Sequence, residues 1–306
     1  MPQSTLRIGT RASRLARAQA ETVAAALRQS GQLCEIVPMK TTGDRILDRP
    51  LAEAGGKGLF TKELEQALLA DGIDIAVHSM KDVPAVLPAG LAIGAVWPRE
   101  NPADVLVSPA PLSQLPAGAR VGTSSVRRRA QLLRARPDAG CVILRGNVDT
   151  RLAKLDSGAM DAILLALAGL KRLGLGGRAS YVLSTDEWLP SLGQGAIGIE
   201  IRGDDARTAA AVSPLDDPAS AIALACERAF QAALDGSCRT PIAGLATIAG
   251  NLLSFRGEVL APDGSDAVET CFHIALGNND AKAEAAAAGR KAGEALKPRA
   301  ARWLAT

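Results

Sequence analysis

The chain has 306 residues, of which 47% are hydrophobic and 22% are charged, and its formal net charge is +3. This balance is that of a globular protein and excludes a disordered chain. Because this length exceeds the usual size of one hydrophobic core, we expect two or three domains. The small net charge does not predict a nucleic-acid partner.

The sequence predicts neither a membrane span nor a secretion signal. Its most weakly charged stretches, such as 241–255, contain Gly and Asn and fall short of the roughly 20 apolar residues that cross a bilayer. Residues 1–9 lack the basic region, apolar core and small-residue cleavage site of a signal peptide. We therefore expect a cytoplasmic protein.

The cysteines do not form a recognisable framework. They are five in number, without a Cys-x-x-Cys pair: Cys34, Cys141, Cys226, Cys238 and Cys271. An odd, scattered set disfavours both a disulfide scaffold and a zinc site, so we expect no bound metal and at least one free thiol.

The first predicted elements alternate between strand and helix. In chain order they are a strand at 6–9, a helix from its N-cap Ser13 to near Gly31, a strand at 34–39, a helix at 59–70 and a strand at 73–77. The assignments rest on helical or alternating spacing of apolar residues. A βαβαβ order predicts a parallel sheet.

The same order restarts after the proline-bearing segment 97–102. A strand near Val121 is followed by a helix at 126–135, a strand at 142–144, a helix at 150–157 and a strand at 162–166. These elements predict a second α/β domain. A further strand at 193–201 is expected to return the chain to the first sheet, which gives a hinge of two segments.

The remaining elements predict a small α+β domain. A helix runs from Pro218 to about Leu234, three strand-like runs follow, and an Ala-rich helix begins after Asn279. The predicted fold class is therefore α/β, with two similar βαβ-type domains joined by hinge segments and a small α+β C-terminal domain. The expected boundaries are 1–98 with 194–214, then 99–193, then 215–306.

Three places combine a strand end, a helix start and basic or hydroxyl side chains. They carry Arg11 and Ser13, then Thr123, Ser125, Arg127 and Arg128, then Arg145 and Arg151. Free backbone N–H groups and the helix dipole favour an anion at such places. The alternative is an N-capped helix with a solvated basic face. In open α/β sheets, ligands bind at the carboxyl ends of strands, where all three sets are predicted to lie.

Asp82 follows a predicted strand and precedes a proline-stiffened turn, beside Lys81. A carboxylate at this position can point into a cleft, but the sequence alone favours an Asx-turn or a salt bridge. We interpret His78, in the same segment, as a structural histidine rather than a base.

Two loops complete the candidate site. Gly55, Gly56, Lys57 and Gly58 lack the spacing of a phosphate loop, and their glycine density favours a lid or a flexible connector. Cys238 lies in a loop beside Arg239, which could lower the pKa of its thiol. Most free cysteines, however, are inert.

Taken together, these segments resemble the porphobilinogen deaminase family, whose members are also called hydroxymethylbilane synthases and act in tetrapyrrole and haem biosynthesis. The resemblance runs through LRIGTRASRLA, GGKGLFTKELE, DIAVHSMKDVP, GTSSVRRR, LRGNVDTRL, GQGAIGIE and GSCRTP. It covers nearly the whole chain. It implies a monomer of three domains with a cleft between the first two.

The resemblance implies a transferase that joins four porphobilinogen molecules, with loss of ammonia, onto a dipyrromethane cofactor and then releases hydroxymethylbilane by hydrolysis. It places the cofactor on Cys238 through a thioether. It makes Asp82 the catalytic residue, whose carboxylate stabilises the positive charge as ammonia leaves. Porphobilinogen is the expected partner, without nucleic acid or membrane.

The resemblance also implies which residues contact the acetate and propionate groups of the pyrrole rings. Besides Cys238, the residues expected to bind the cofactor are Asp44, Lys81, Thr123, Ser125, Arg127, Arg128 and Arg145. The residues expected to bind the substrate are Arg11, Ser13, Arg151 and Arg172.

The chain departs from the family pattern at three positions. Arg14 stands where many relatives have proline, and Thr240 stands where an aliphatic residue is usual. Glu53 occupies a lid position that is often basic, which puts some lid contacts in doubt.

Two other classes of protein share parts of this pattern. Periplasmic solute-binding proteins also have two α/β domains joined by hinge strands, but they need an export signal and no anchored thiol. A nucleic-acid binder could use the arginines of helix 126–135, yet an aromatic content of 3% offers few stacking platforms.

Overall fold

A computed structural model describes residues 5–45, 58–235, 240–277 and 280–304. The strands are β1 Leu6–Arg11, β2 Cys34–Met39, β3 Ile75–Ser79, β4 Leu91–Trp97, β5 Asp104–Val107, β6 Arg120–Gly122, β7 Gly140–Val142, β8 Ala162–Ala166, β9 Tyr181–Val182, β10 Ile197–Arg202, β11 Ile242–Ala249, β12 Leu252–Leu260 and β13 Ala267–Ala275. The helices are α1 Arg14–Gln29, α2 Thr42–Arg45, α3 Lys62–Leu69, α4 Val126–Ala135, α5 Val148–Asp156, α6 Leu167–Arg172, α7 Ala206–Val212, α8 Pro218–Ala233 and α9 Ala281–Leu304. Within these ranges, no helix combines the length and apolar character needed to cross a membrane.

The first sheet has the order β2-β1-β3-β10-β4. Strands β1, β2 and β3 are parallel, as their alternation with helices predicts, but β10 runs antiparallel to both β3 and β4. The predicted parallel sheet is therefore a mixed one. The chain leaves this sheet after β4 and comes back through β10, and a strand that returns from the same edge has to run the opposite way.

The second sheet repeats this plan in the order β7-β6-β8-β5-β9. Here β6, β7 and β8 are parallel, and β5 is antiparallel to β8 and β9. Two similar mixed α/β domains result. Helices cover both faces of the first sheet: α1 buries Val23 and Leu27 against one face, and α3 buries Leu64 and Leu68 against the other. Such two-sided cover is what a sheet with parallel strands requires.

The third domain is an antiparallel sheet, β11-β12-β13, with helices α8 and α9 packed on it. Its core includes Phe230, Phe255 and Leu253, which are fully buried. The rings of Phe230 and Phe255 meet edge to face, with centroids 4.9 Å apart. This is the small α+β domain that the sequence predicts.

Local sequence predicts some element boundaries and misses others. The bounds predicted for β2, α4 and β8 are confirmed. Helix α3 begins at Lys62 instead of residue 59, and β3 covers Ile75–Ser79 instead of 73–77, so that His78 lies within the strand. Strand β10 begins at Ile197 instead of residue 193, because the preceding Gly195 has φ +88° and a Cβ there would lie 2.2 Å from the carbonyl oxygen of Glu100.

Candidate active site

Three of the predicted site residues meet at the carboxyl edge of the first sheet. Arg11 ends β1, and Lys81 and Asp82 lie in a short 3₁₀ turn directly after β3. Ser13 caps α1 by accepting a hydrogen bond from the backbone N–H of Ala16 at 3.3 Å. These side chains share one pocket, lined by Arg11, Ser13, Leu15, Ala16, Gln19, Phe60, Thr61, Val77, His78, Ser79, Lys81 and Asp82.

Arg11 links two carboxylates in this pocket. Its Nη2 donates to Asp44 Oδ1 at 2.5 Å, and its Nη1 lies 3.7 Å from Asp82 Oδ2. The guanidinium also stacks on the Phe60 ring, 4.0 Å from the centroid. Gly43 makes room for that ring, since a Cβ at this position would lie 2.3 Å from it.

Asp44 is ionised in this setting. Burial alone would raise the pKa of its carboxyl, but hydrogen bonds from Arg11 and Thr41 outweigh burial, and the pKa is lowered. Asp44 therefore holds Arg11 in place beneath Asp82 as a fixed anion.

Lys81 points from the first domain toward the second. Its Nζ donates to Gln194 Oε1 at 3.2 Å. Burial, followed by the positive charge of Arg128, lowers the pKa of Lys81 to about 8, although Asp82 and Asp104 act in the other direction. The ammonium of Lys81 thus lies in a region with an excess of positive charge.

Asp104 organises the second domain's share of the site, and sequence reasoning missed it. This residue is fully buried, and its carboxylate accepts from Arg127 Nη1 at 2.8 Å and from Arg128 Nη2 at 2.7 Å. Burial raises the pKa of Asp104, but the two guanidinium groups hold it well below its usual range. An acidic residue opening the apolar run Asp-Val-Leu-Val was the signal that could have revealed it.

Gln194 was missed as well, and it joins the two domains. Its side-chain amide donates to Asp104 Oδ1 and to the carbonyl oxygen of Pro102, both at 2.7 Å. Its oxygen accepts from Lys81 and, at 3.4 Å, from Arg128. One hinge amide therefore sets the positions of both cations.

Arg127 and Arg128 are both buried, yet they have different neighbours. Arg127 Nη1 donates to Asp104, to Gln131 Oε1 at 2.7 Å and to the carbonyl oxygen of Leu189 at 3.0 Å. Arg128 Nη1 donates to the carbonyl oxygen of Leu164, in the middle of β8. Among the described residues, the Nε–H group of each arginine is buried without a hydrogen-bond acceptor.

The hydroxyl residues before α4 cap the helix. Ser125 accepts from the backbone N–H of Arg128 at 3.4 Å, and Thr123 Oγ1 accepts from the backbone N–H of Ser125 at 3.2 Å. The basic face of α4 is not solvated, because Arg127 and Arg128 are only 4% and 6% exposed, but the capping part of the interpretation is correct for Ser125. It leaves the hydroxyl hydrogens able to donate to an anion.

A second basic group lies at the start of α5. Asn147 caps this helix, and Arg151 Nε donates to the carbonyl oxygen of Gly146 at 2.9 Å. Burial, then the charges of Arg128 and Arg145, lower the pKa of Arg151 to about 10, whereas Asp82 raises it. Arg128, Arg145 and Asp82 are therefore each within electrostatic reach of Arg151.

Arg172 and Arg14 lie at another part of the interdomain boundary. Arg172 Nη2 donates to the carbonyl oxygen of Gly195 at 2.5 Å, and burial lowers its pKa to about 10. Arg14, where the sequence departs from the family pattern, reaches from α1 to Asp149 Oδ1 at 2.8 Å. Arg14 thus bridges the two domains beside the pocket.

Glu227 anchors the third domain to the hinge, and no sequence signal marked it. This fully buried residue of α8 accepts from Arg99 Nη1 and from the backbone N–H of Gly193, each at 2.6 Å. It also accepts from the backbone N–H of Ala246 on β11 at 2.8 Å.

Several predicted site residues lie outside the described residues, namely Cys238, Gly55, Gly56, Lys57 and the lid residue Glu53. Gly58 is described and has φ +78°. Of the remaining cysteines, Cys34, Cys141 and Cys226 have thiol pKa values raised by burial. Within the described ranges, no cluster of three His, Cys, Asp or Glu side chains is placed to hold a metal ion.

Comparison with known proteins gives matches along almost the whole chain. The family model described as "Porphobilinogen deaminase, dipyromethane cofactor binding domain" matches residues 6–210, and "Porphobilinogen deaminase, C-terminal domain" matches residues 221–298. The porphobilinogen deaminase of Paracoccus denitrificans is 52% identical over 98% of this chain and 96% of its own length. That of Nitrobacter hamburgensis is 51% identical over 96% of this chain and 93% of its own length.

Among solved structures, similarity extends to a periplasmic substrate-binding protein of an ABC transporter from Coxiella burnetii. It is 17% identical, with a TM-score of 0.42, over 71% of this chain and 94% of that one. At this TM-score the likeness adds nothing to the fold given by the sheets.

Proposed function

The chain belongs to the porphobilinogen deaminase family, and from that premise we propose that it joins four porphobilinogen molecules into hydroxymethylbilane. Each addition releases one ammonia, and the product leaves by hydrolysis. The growing chain is attached to a dipyrromethane cofactor that is bound to Cys238 through a thioether. Asp82 is the catalytic residue of each addition.

One observation carries this proposal: cations from both domains surround a single catalytic carboxylate. Lys81 and Arg151 have pKa values lowered by burial and by neighbouring arginines, and in both cases Asp82 acts in the opposite direction. Arg128 contributes to the lowered pKa of both groups, so this region is short of negative charge. A ligand with several carboxylates supplies that charge.

The dipyrromethane fits this donor set. Each pyrrole ring carries acetate and propionate groups, which match guanidinium and ammonium donors. Arg128 also has a buried Nε–H group without an acceptor among the described residues. When bound, the cofactor supplies the pyrrole carbon to which the first substrate ring is joined.

Different residues of this chain bind the cofactor and the substrate. Lys81, Arg128, Arg145, Thr123 and Ser125 bind cofactor carboxylates, while Arg11, Ser13, Arg151 and Arg172 bind those of the substrate. Arg127 is only 4% exposed and is held by three acceptors, so it acts by keeping Asp104 ionised and Arg128 in place. Asp44 belongs to the cofactor site and also holds Arg11, to which it is bound.

Asp82 stabilises the positive charge that develops on the substrate when ammonia leaves. A carboxylate held in place before the reaction starts is effective because it does not have to reorient. Arg11 fixes that position from one side, at 3.7 Å. The lid residues 55–58 are proposed to cover the pocket, since Gly58 leads directly to Phe60 and Thr61 in its wall.

Three further sequence expectations stay predictions. They are the monomeric state, the cytoplasmic location and the domain boundaries at 98, 193 and 214. The oligomeric state can be measured by light scattering coupled to gel filtration.

Intact-protein mass measurement tests the attachment. We expect the purified chain to carry an adduct of two pyrrole units that is absent from Cys238→Ser and present in the control Cys271→Ser, whose thiol lies exposed on β13. An active wild-type chain without the adduct would overturn the cofactor proposal. A chain that carries the adduct but releases no ammonia from porphobilinogen would overturn the proposed reaction.

A further inference from the structure

A buried acid–base cluster lies behind the pocket, and the functions assigned above do not use it. His78 is 4% exposed, and its Nε2 lies 2.9 Å from Oε2 of the fully buried Glu200. Ionisable groups are rarely buried unless they are paired with each other.

The sheet register places these groups on one face. In the β3–β10 pair, His78 lies opposite Gly198 and Ala76 lies opposite Glu200, so that His78 and Glu200 share the face covered by α3. Glu65 of α3 faces them from the helix side. Burial, and then the negative charge of Glu200, raise the pKa of Glu65.

The charges around His78 are thus mainly negative. Glu200 lies beside it, Glu65 faces it from α3, and Arg228 of α8 is the cation within electrostatic reach of Glu200. One oxygen of Glu200, Oε1, is buried without a hydrogen-bond donor among the described residues. A carboxylate so poorly satisfied gains from a protonated imidazole next to it.

His78 also borders the proposed site. It lines the same pocket as Arg11, Lys81 and Asp82. A neutral imidazole whose Nε2–H donates to Glu200 carries its lone pair on Nδ1. A carboxylate partner both orients such a ring and stabilises its protonated form, as in histidine–carboxylate pairs of hydrolases.

We propose that His78, oriented by Glu200, is the base that removes the proton from the pyrrole carbon after each new carbon–carbon bond has formed; this inference rests on the function proposed above. The C–H bond breaks, its electron pair restores the aromatic ring, and Nδ1 takes the proton. The ammonia released in the same addition then takes that proton from His78 and leaves as ammonium, so each cycle returns the imidazole to its starting form.

The reaction requires two different groups, an anion that stabilises the cationic ring and a base that takes the proton. The next substrate ring is also cationic while its ammonia leaves, and Asp82 has to be an anion to stabilise it. One carboxylate cannot hold a proton and carry that negative charge at the same time. A separate base resolves this conflict.

The tautomer of His78 can be tested without turnover. The chain has only two histidines, His78 and His273, so ¹⁵N-histidine spectra are assignable with the variants His78→Gln and His273→Gln. We expect the neutral His78 ring to carry its proton on Nε2. A proton on Nδ1 would overturn the proposal, because that nitrogen could not then act as the base.

The variant His78→Gln tests the step itself. Glutamine keeps an N–H donor for Glu200 and removes the basic nitrogen, so the fold and the cofactor adduct should be retained, as checked by circular dichroism and intact mass. We expect kcat to fall by about 10²-fold or more. We also expect porphobilinogen deuterated at the free ring carbon to react more slowly than the protiated form in this variant.

The isotope effect separates a base from a structural residue. His273, which hydrogen-bonds Ser254 on the exposed side of the third sheet, provides the control, and His273→Gln should match the wild type. Near-normal turnover of His78→Gln, or slow turnover without an isotope effect, would overturn the role of His78. A wild-type chain that fails to consume porphobilinogen would instead overturn the proposed function.

Discussion

The guanidinium of Arg11 lies 3.7 Å from the carboxylate of Asp82, with its other Nη atom bound to Asp44. Strand β1 delivers Arg11, and the turn after β3 delivers Asp82, because these parallel strands end at the same edge of the sheet. One cation thereby contacts the proposed catalytic carboxylate and binds a second anion, Asp44.

Replacing Arg11 by Gln should impair the reaction and change the charge of Asp44. Loss of hydrogen bonds to a charged partner costs about 1.5–3 kcal/mol, so kcat/KM should fall roughly 10- to 150-fold. The pKa of Asp44 should rise, since Arg11 and Thr41 together offset its burial and only Thr41 would remain. Steady-state kinetics measure the first effect, and Arg120→Gln, which removes an exposed ion pair with Asp161, is the control.

Replacing Asp82 by Asn should leave the fold intact and abolish most turnover. The amide keeps the shape but lacks the charge that stabilises the cationic ring, so kcat should fall by about 10²- to 10³-fold. Ammonia release from porphobilinogen measures this, with the exposed turn residue Asp263→Asn as control. Ammonia release near the wild-type rate would rule out a catalytic role for Asp82.

Replacing Asp104 by Asn should destabilise the protein more than any surface charge does. Two buried guanidinium groups would lose their anion, which costs about 3–5 kcal/mol. The exposed pair of Arg120 with Asp161 gives the comparison, since water screens this pair and Asp161→Asn should cost much less. Urea unfolding of both variants measures the difference, and equal losses would contradict the structural role of Asp104.

The same carboxylate predicts how stability depends on pH. The pKa of Asp104 is depressed in the folded state, so its contribution is fully present above the unfolded pKa of about 4 and is lost as pH falls below that value. The free energy of unfolding of the wild type should therefore fall more steeply between about pH 4 and pH 2 than that of Asp104→Asn. Parallel pH profiles would contradict this assignment.

Lys81 predicts a rise of stability with pH as well, in a window at high pH. Its folded pKa of about 8 lies below the ordinary 10.5, so between these values the unfolded chain binds more protons and stability rises with pH. Relative to Lys81→Gln, the lysine protein should gain up to about 3 kcal/mol over this window. Both are best measured in the Cys238→Ser background, where no covalent anion is expected beside Lys81. A constant difference between them would show that Lys81 titrates normally.

Local sequence was enough for the parts of the site that depend on neighbouring residues. Ser13 and Ser125 are N-caps, as their positions before helical apolar spacing predict, because a cap bonds a backbone N–H only two or three residues away. Strand β8 and helix α4 have the predicted bounds because the spacing of their apolar residues is also a local signal. By contrast, β4, β5, β9, α6 and α7 were not predicted, since these short segments depend on tertiary packing more than on their own pattern.

By itself, the sequence determined the α/β class and the chemistry available at the strand ends: arginines, hydroxyl groups and Asp82. Only the tertiary structure decided which of these groups meet, that Asp104 and Gln194 hold cations among them in place, and that Glu227 fixes Gly193 of the hinge. The reason is that a buried charge is stable only when paired, and its partners come from distant strands and helices. The arginines in the sequence predict a carboxylate-binding site. The buried groups that orient them, Asp104 and Gln194, are identified only in the folded structure.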